Sequence, residues 1–335
     1  MSEHNPPVPA PELVHPLEVY VVRPRRKRYW LHLLLLLITF FTTLTVGARL
    51  QFNFNHDVPT FSAAEDALPL FPLGWVLHDP QALMLGLPFS LTLMGILLAH
   101  EMGHYIYCQR YGVQATLPYF IPAPTLIGTL GAFIRIRSRI HSRAALFDIG
   151  IAGPIAGFLV GLPVLLLSLP LSKSALPPSP DDLQFGVPLI FHLAHLLEQP
   201  FSTILAQPMS DLRLHPVAMA AWVGMFATSL NLLPGGQLDG GHIVYSVAPR
   251  DHKRISRLTI LALIPMAIFF WLGWLLWAAM LFITGMRHPA VPVWPELDVS
   301  RRRFALIAVA LLVLTLIPAP INQSLLDLFR ELRSH

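Results

Sequence analysis

Leu97-Leu98-Ala99-His100-Glu101-Met102-Gly103-His104 places two imidazoles and a carboxylate inside a run, residues 82–107, that otherwise reads as a buried or membrane-embedded helix. Ionisable groups at bilayer depth cost roughly 2.5–3.5 kcal/mol each on insertion scales, so a cluster of them marks a function. Helical geometry narrows it. At about 100° per residue, positions i and i+4 lie about 40° apart around the axis, so His100 and His104 point the same way and can share one metal ion. Glu101 sits on the flank of that face, within reach of a water held there. H-E-x-x-H on a helix is a zinc-site pattern, with the histidines as ligands and the glutamate as general base.

The 335 residues are 54% hydrophobic and only 13% charged, against about 25% charged in soluble domains. The composition is that of an all-α polytopic membrane protein, embedded in a lipid bilayer. A net charge of +4, confined to loops, excludes nucleic acid as a partner. The one cysteine, Cys108, rules out an internal disulfide framework; one turn beyond His104, it reads as an apolar filler and not as a further ligand.

Residues 1–28 form a proline-rich, disordered cytoplasmic tail whose cluster Arg23, Arg25, Arg26, Lys27 and Arg28 holds the N-terminus inside. Residues 29–48 are the first transmembrane span. Val46-Gly47-Ala48 resembles a signal cleavage site, but the apolar run of 29–46 is longer than a usual signal core and is read as an uncleaved span. The acidic loop 49–80 lies outside, and 82–107 returns, which puts His100 and His104 in the cytoplasmic half of the second span. The loop 109–145, with Arg110, Arg135, Arg137, Arg139 and Arg143 and no acid, is cytoplasmic. Residues 147–169 form the third span, and Gly153, Gly157 and Gly161 repeat there at the spacing of Gly95, Ala99 and Gly103, so the two spans pack closely along matching stripes.

Within the basic loop, residues 133–140 alternate apolar with polar, the period of a strand. Pro118, Pro122, Pro124, Gly128 and Gly131 ahead of them allow a turn, giving a re-entrant, β-hairpin-like loop between the second and third spans. Two readings of it stand: a free strand edge for an unwound substrate, or an interfacial hairpin whose arginines meet lipid phosphates. The loop 171–214 is acidic and outside; a short interfacial helix is expected over 185–197, with His192 and His195 as surface residues.

The fourth span, 215–233, ends in Asn231-Leu232-Leu233-Pro234-Gly235-Gly236-Gln237-Leu238-Asp239-Gly240-Gly241. Pro234 and the glycines break the helix and let the chain turn tightly around a site. Asp239 then lies past a cytoplasmic helix end, on the same side as His100 and His104. Charge topology brings a third ligand to the first two. His242 faces either this site or solvent. Residues 247–335 form a C-terminal transmembrane region in which 257–285 reads as one span or as a helical hairpin, and 304–317 as a last span. About six transmembrane helices result.

His100-Glu101-Met102-Gly103-His104 together with Asn231-x-x-Pro234-x-x-x-Leu238-Asp239-Gly240-Gly241 resembles the paired motifs of the site-2 protease family of intramembrane zinc metalloproteases, in its compact branch without a PDZ domain. The likeness covers residues 83–246, the expected metalloprotease core. Residues 128–136 look like the family's re-entrant strand, and 150–157 are similar to its glycine-proline motif. The resemblance implies one Zn2+ per chain held by His100, His104 and Asp239, with Glu101 activating the water that is the fourth ligand and Asn231 holding the substrate backbone or the oxyanion.

The expected activity is hydrolysis of a peptide bond in or near the transmembrane segment of a membrane protein, with a single-span substrate as the partner. The expected location is the cell membrane, with the site facing the cytoplasm. Two rivals are a membrane metal transporter and a catalytically silent scaffold that binds transmembrane helices. The first needs further intramembrane sites along a path, which the sequence does not offer; the second would have lost Glu101 or Asp239, and both are present.

Overall fold

In the computed structural model, residues 29–61, 68–175, 184–284, 291–292 and 295–321 are described. The tail 1–28 with its arginine cluster, and Glu65, Asp66, Asp181, Asp182 and Arg287, lie outside the described residues. Three helical stretches among those described are long and apolar enough to cross a membrane: Tyr29–Asn55, Pro80–Arg110 and Arg143–Leu171. Helix α1 (Tyr29–Asn55) runs on past the expected end of the first span and buries Val46 and Ala48 completely. After the short α2 (Leu73–His78), a 3-10 turn at Pro80–Gly86 leads into α3 (Leu87–Arg110), where Pro88 is tolerated because the first turn has no amide acceptor to lose. Helix α4 (Arg143–Ser168) opens at Ser142, whose hydroxyl accepts the Ala145 N–H at 3.1 Å.

Between α3 and α4 the chain forms an antiparallel hairpin of β1 (Tyr119–Pro122) and β2 (Thr129–Phe133). It lies along the first half of α1. His32 stacks on Tyr119 at 3.9 Å between ring centres, and Thr42 donates its hydroxyl to Gly128 O at 2.6 Å. Ten helical residues separate these contacts, about 15 Å along the axis. At the hairpin tip only glycine serves: Gly128 has φ +79°, and a Cβ there would sit 2.7 Å from Thr42 O. The paired strand thus begins earlier than the 133–140 expected, because the glycine turn and pairing with 119–122 set the register. The expected alternation persists beyond it. Residues 134, 136, 138 and 140 are half-buried and 133, 135, 137 and 139 exposed, and Ile136 bridges Ala115.

The opposite end of the bundle is tied by charge. Asp57, just past α1, accepts from Lys173 at 3.0 Å and from Arg213, which lie on the paired β3 (Lys173–Ser174) and β4 (Leu212–Arg213). Helix α5 (Leu189–Glu198) lies near the expected interfacial helix; His192 is exposed, and His195 Nε2 lies 2.8 Å from Gln207 O, so neither belongs to a metal site. Helices α6 (Pro216–Asn231) and α7 (Asp239–Val247) follow.

The apolar run 257–285 divides at 270–272 into α8 (His252–Phe269) and α9 (Gly273–Thr284). Gly235 faces Ser256 and Thr259 near the start of α8 and Leu281 near the end of α9, so the two arms are antiparallel. Of the two readings of this run, the helical hairpin is the one observed. Its arms share a core of Leu263, Ala267, Trp274, Ala278 and Leu281. Helix α10 (Val299–Thr315) starts where Arg301 bonds Asp148 at 2.6 and 2.8 Å and Tyr111 at 3.2 Å, the end of the bundle that holds the basic loop. It finishes at the other end, where Ile321 bridges Phe185 and Pro318 O accepts the Trp274 indole N–H at 2.7 Å.

Hydrogen bonds from Lys173 and then Arg213 hold the Asp57 carboxyl below the usual carboxylate range. A depressed folded-state value adds stability that is complete above the unfolded value of about 3.9 and is lost as pH falls through the folded one. Acidification below about pH 4 should therefore lower the melting temperature of the wild type more steeply than that of Asp57→Asn, which should start lower at neutral pH. Parallel melting curves in detergent would show that the clasp adds no pH dependence.

Candidate metal centre

His100 and His104 occupy one face of α3, one turn apart, with ring centres 5.0 Å from each other. Asp239 arrives from a distant part of the chain, and its Oδ2 lies 3.2 Å from both imidazole Nε2 atoms. The donor atoms of the three residues all lie within 4.8 Å of one another, and the histidines are at most 7% exposed. His104 Nδ1 is 2.7 Å from Ile149 O. That carbonyl accepts only, so Nδ1 carries the proton and Nε2 turns its lone pair toward Asp239. Lone pairs and a carboxylate oxygen facing one another in a buried space repel unless a cation or proton lies between them. Two imidazole nitrogens and one carboxylate oxygen make a donor set that suits zinc.

Asp239 lies beyond the end of α6, where it was expected, and is also the first residue of α7, with Leu238 extended ahead of it at φ −69° and ψ 166°. A carboxylate in a first turn is favoured by the helix dipole. Gly240 lets α7 begin against the preceding loop, since a Cβ there would lie 2.1 Å from Leu232 O. The helix start fixes the direction in which the carboxylate points.

Close packing of α3 on α4 is present, but not as two matching stripes. Gly95 faces open space, and a Cβ on Gly161 would meet Met225 of α6 at 3.1 Å and Ile96 of α3 at 3.8 Å. Gly103 meets Ala152, where a Cβ would be 2.5 Å from the carbonyl oxygen. The remaining glycines of α4 make room for the ligands themselves. A Cβ on Gly153 would fall 2.1 Å from His104 Nε2, and one on Gly157 would fall 3.2 Å from His100 Nδ1.

A cavity of about 200 Å³ opens beside the three donors. Glu101, 5% exposed, borders it, and Ile134 of the strand beyond β2 lines the same cavity. Asn231, the last residue of α6, lies with its Nδ2 3.4 Å from His100 Nε2. His242 also lines the cavity, three residues along α7 from Asp239 and packed on Gly150. Cys108 sits among Val113, Ala145 and Ile149, the surroundings of an apolar filler. The Ile149 carbonyl carries no side-chain signature by which the sequence could have marked it.

Gly153→Ala should weaken zinc binding about ten- to hundredfold, the usual cost of disturbing a ligand's support, while the helical circular dichroism stays as in the wild type. Metal titration of the purified variant checks this. Wild-type affinity would mean that the His104 ring has room to move.

Residues 88–273, over half of the chain and including both motifs, match Peptidase family M50. The chain is 30% identical over 270 residues to the probable zinc metalloprotease EGY2, chloroplastic, of Arabidopsis thaliana, an alignment covering 79% of this chain and 45% of that protein. It is 31% identical over 306 residues to the probable zinc metalloprotease EGY1, chloroplastic, of Oryza sativa subsp. japonica, covering 87% of this chain and 50% of that protein. The chain thus spans about half the length of the relatives it matches. With motifs, donor geometry and the matched segment all coinciding, the chain belongs to Peptidase family M50, the site-2 protease family.

Proposed function

We propose that this chain is an intramembrane zinc metalloprotease that hydrolyses a peptide bond in or near the transmembrane segment of a membrane protein, a single-span substrate being the simplest. The observation that carries this is the convergence of His100, His104 and Asp239, with His100 and Asp239 139 positions apart in the sequence, beside a buried glutamate and an open strand edge. Zinc held by the three ligands would supply Lewis acidity and a water acidic enough to attack at neutral pH. Glu101 takes the proton from the attacking water and returns it to the leaving amine. Ile134 lines the cavity beside that carboxylate. Asn231 offers its amide to the substrate carbonyl, where charge grows as attack proceeds.

The strand beyond β2 holds the substrate. Arg137 N donates to Gln114 O at 2.7 Å and Thr116 N to Arg135 O at 3.0 Å, so residues 135 and 137 face the inner partner. With a period of two, Ile134 and Ile136 turn their backbone groups the other way, toward the cavity. Neither the Ile134 carbonyl nor the Ile136 amide and carbonyl has a hydrogen-bond partner among the described residues. A helical substrate, once locally unwound, pairs its exposed amides and carbonyls with this edge.

In the membrane, α1, α3, α4, α6 and α10 cross and the α8–α9 hairpin reaches between the same two ends, which is our form of the expected six or so spans. The β1–β2 hairpin is re-entrant alongside α1. Residues 82–246 are the catalytic core, and 247–335 buttress it. The end holding Arg110 and residues 135–143 faces the cytoplasm of a cell membrane, while the relatives named above are chloroplastic. A metal transporter needs a second ligand group, and His100, His104 and Asp239 are the one such group among the described residues. A silent scaffold has no use for a general base beside its metal.

Zinc content and cleavage of a transmembrane test peptide, measured on the same detergent-purified samples, test the proposal. Glu101→Gln should keep about one zinc per chain and lower the cleavage rate at least about 100-fold; undiminished turnover would remove Glu101 as the base. Ile136→Pro removes one edge amide and should slow cleavage more than Ile136→Ala does. Equal effects of the two would count against strand addition.

A further inference from the structure

The strand that offers its edge to the site also presents a charged face. Phe133, Arg135, Arg137 and Arg139 are all exposed, while 134, 136, 138 and 140 are half-buried. Side chains two apart on extended chain share a face at intervals of about 6.7 Å, which sets Arg135 and Arg137 side by side about the Ile136 bridge, with Arg139 following just past a bend at Ser138. None of the three has an ion-pair partner among the described residues, and the segment 109–145 contains no acid. Phe133 is nearest the hairpin tip, and Arg139 nearest the start of α4. The face therefore grades from aromatic to cationic along its length.

We propose that Phe133, Arg135, Arg137 and Arg139 form a specificity surface that selects substrates whose membrane-flanking segment carries acidic residues at every second position. This rests on the strand-addition reading of the site. A strand laid along the Ile134–Ile136 edge adopts the same pleat, so every second substrate side chain falls on the arginine face, about 5 Å from its cross-strand neighbour. Opposite charges there attract and like charges repel. Ile134 and Glu101 line the same cavity, so the substrate residue beside Ile134 is at the reacting bond, and the arginines meet the positions that follow. Phe133 meets the last apolar residue of the substrate helix. Most membrane proteins carry Lys and Arg on their cytoplasmic flank, so the row rejects them and admits the minority with an acidic flank.

The test uses the full chain reconstituted in vesicles of zwitterionic lipid, with three peptides that share one transmembrane segment and carry Asp, Ser or Lys at alternate flank positions. Exposed charge pairs are individually weak, so kcat/KM should fall about three- to tenfold from Asp to Ser and again from Ser to Lys at low salt, with the steps shrinking at high salt. The triple variant R135Q/R137Q/R139Q should flatten the order, and R135E/R137E/R139E should reverse it. An order unchanged in both variants overturns the proposal. So does a loss in the variants that is equal for all three peptides and occurs only in vesicles containing anionic lipid, which would assign the row to lipid phosphate. If Ile136→Pro leaves all three rates unchanged, strand addition fails, and this proposal fails with it. No Glu101-dependent cleavage of any peptide would instead overturn the protease reading itself.

Discussion

Room for two imidazole rings between α3 and α4 is the constraint on which the rest depends. A histidine on a membrane helix normally turns toward water or a polar neighbour; here His104 lies over Gly153 and His100 over Gly157, in spaces that a single methyl group would fill. The helices approach so closely at Gly103 and Ala152 that the rings have no other place, and the Ile149 carbonyl then fixes one proton. Backbone contact, ring placement and tautomer follow from the same few glycines. Loss of a side chain there is what makes a rigid donor pair, because packed interiors do not yield by fractions of an ångström without cost.

The frame around this pair is held by arginines at chosen depths. At the far end Arg213, 7% exposed, reaches Asp57 and the Val58 carbonyl. At the near end Arg301 joins the start of α10 to Asp148 on α4 and Tyr111 just past α3. Arg143, 4% exposed, donates to Ser246 O at 3.4 Å and Pro295 O at 3.3 Å, binding the start of α4 to the end of α7. These contacts join segments far apart in sequence at the two ends of the bundle. Between them the buried contacts are mainly apolar, with the Thr43–Ser90 hydroxyl pair at 2.6 Å and the three donors of the site set among them.

Much of this was legible in the sequence because membrane helices announce themselves by length and apolar composition, and because i, i+4 spacing translates directly into a shared face. The strand-like alternation near Ile134 and Ile136 was equally plain, since a period of two needs no tertiary context. The start of α7 at Asp239 was hidden behind Pro234 and four glycines, which signal a break but not where helix resumes. The hairpin register depends on a turn at Gly128 that is shaped by contact with α1. Gly95 shares its spacing with Gly103 yet faces nothing, because a stripe records which residues are small and not what they lie against. The division of 257–285 was likewise a matter of tertiary contact: Gly235 gathers both arms of the hairpin from opposite sides.

That gathering has a consequence for how the molecule comes into being. The loop that delivers Asp239 is gripped by α8, through Thr259 Oγ1 on Pro234 O at 2.9 Å, Ser256 Oγ on Gly236 N at 3.2 Å and His252 Nε2 at 3.1 Å from Gly236 O. A ribosome delivers the histidine helix first, and the grip only after about 150 further residues have been added, roughly ten seconds later at ordinary elongation rates. Throughout that interval the growing polypeptide carries two donors and no clamp on the third. The order of synthesis thus leaves the three-donor site incomplete until α8 is in place.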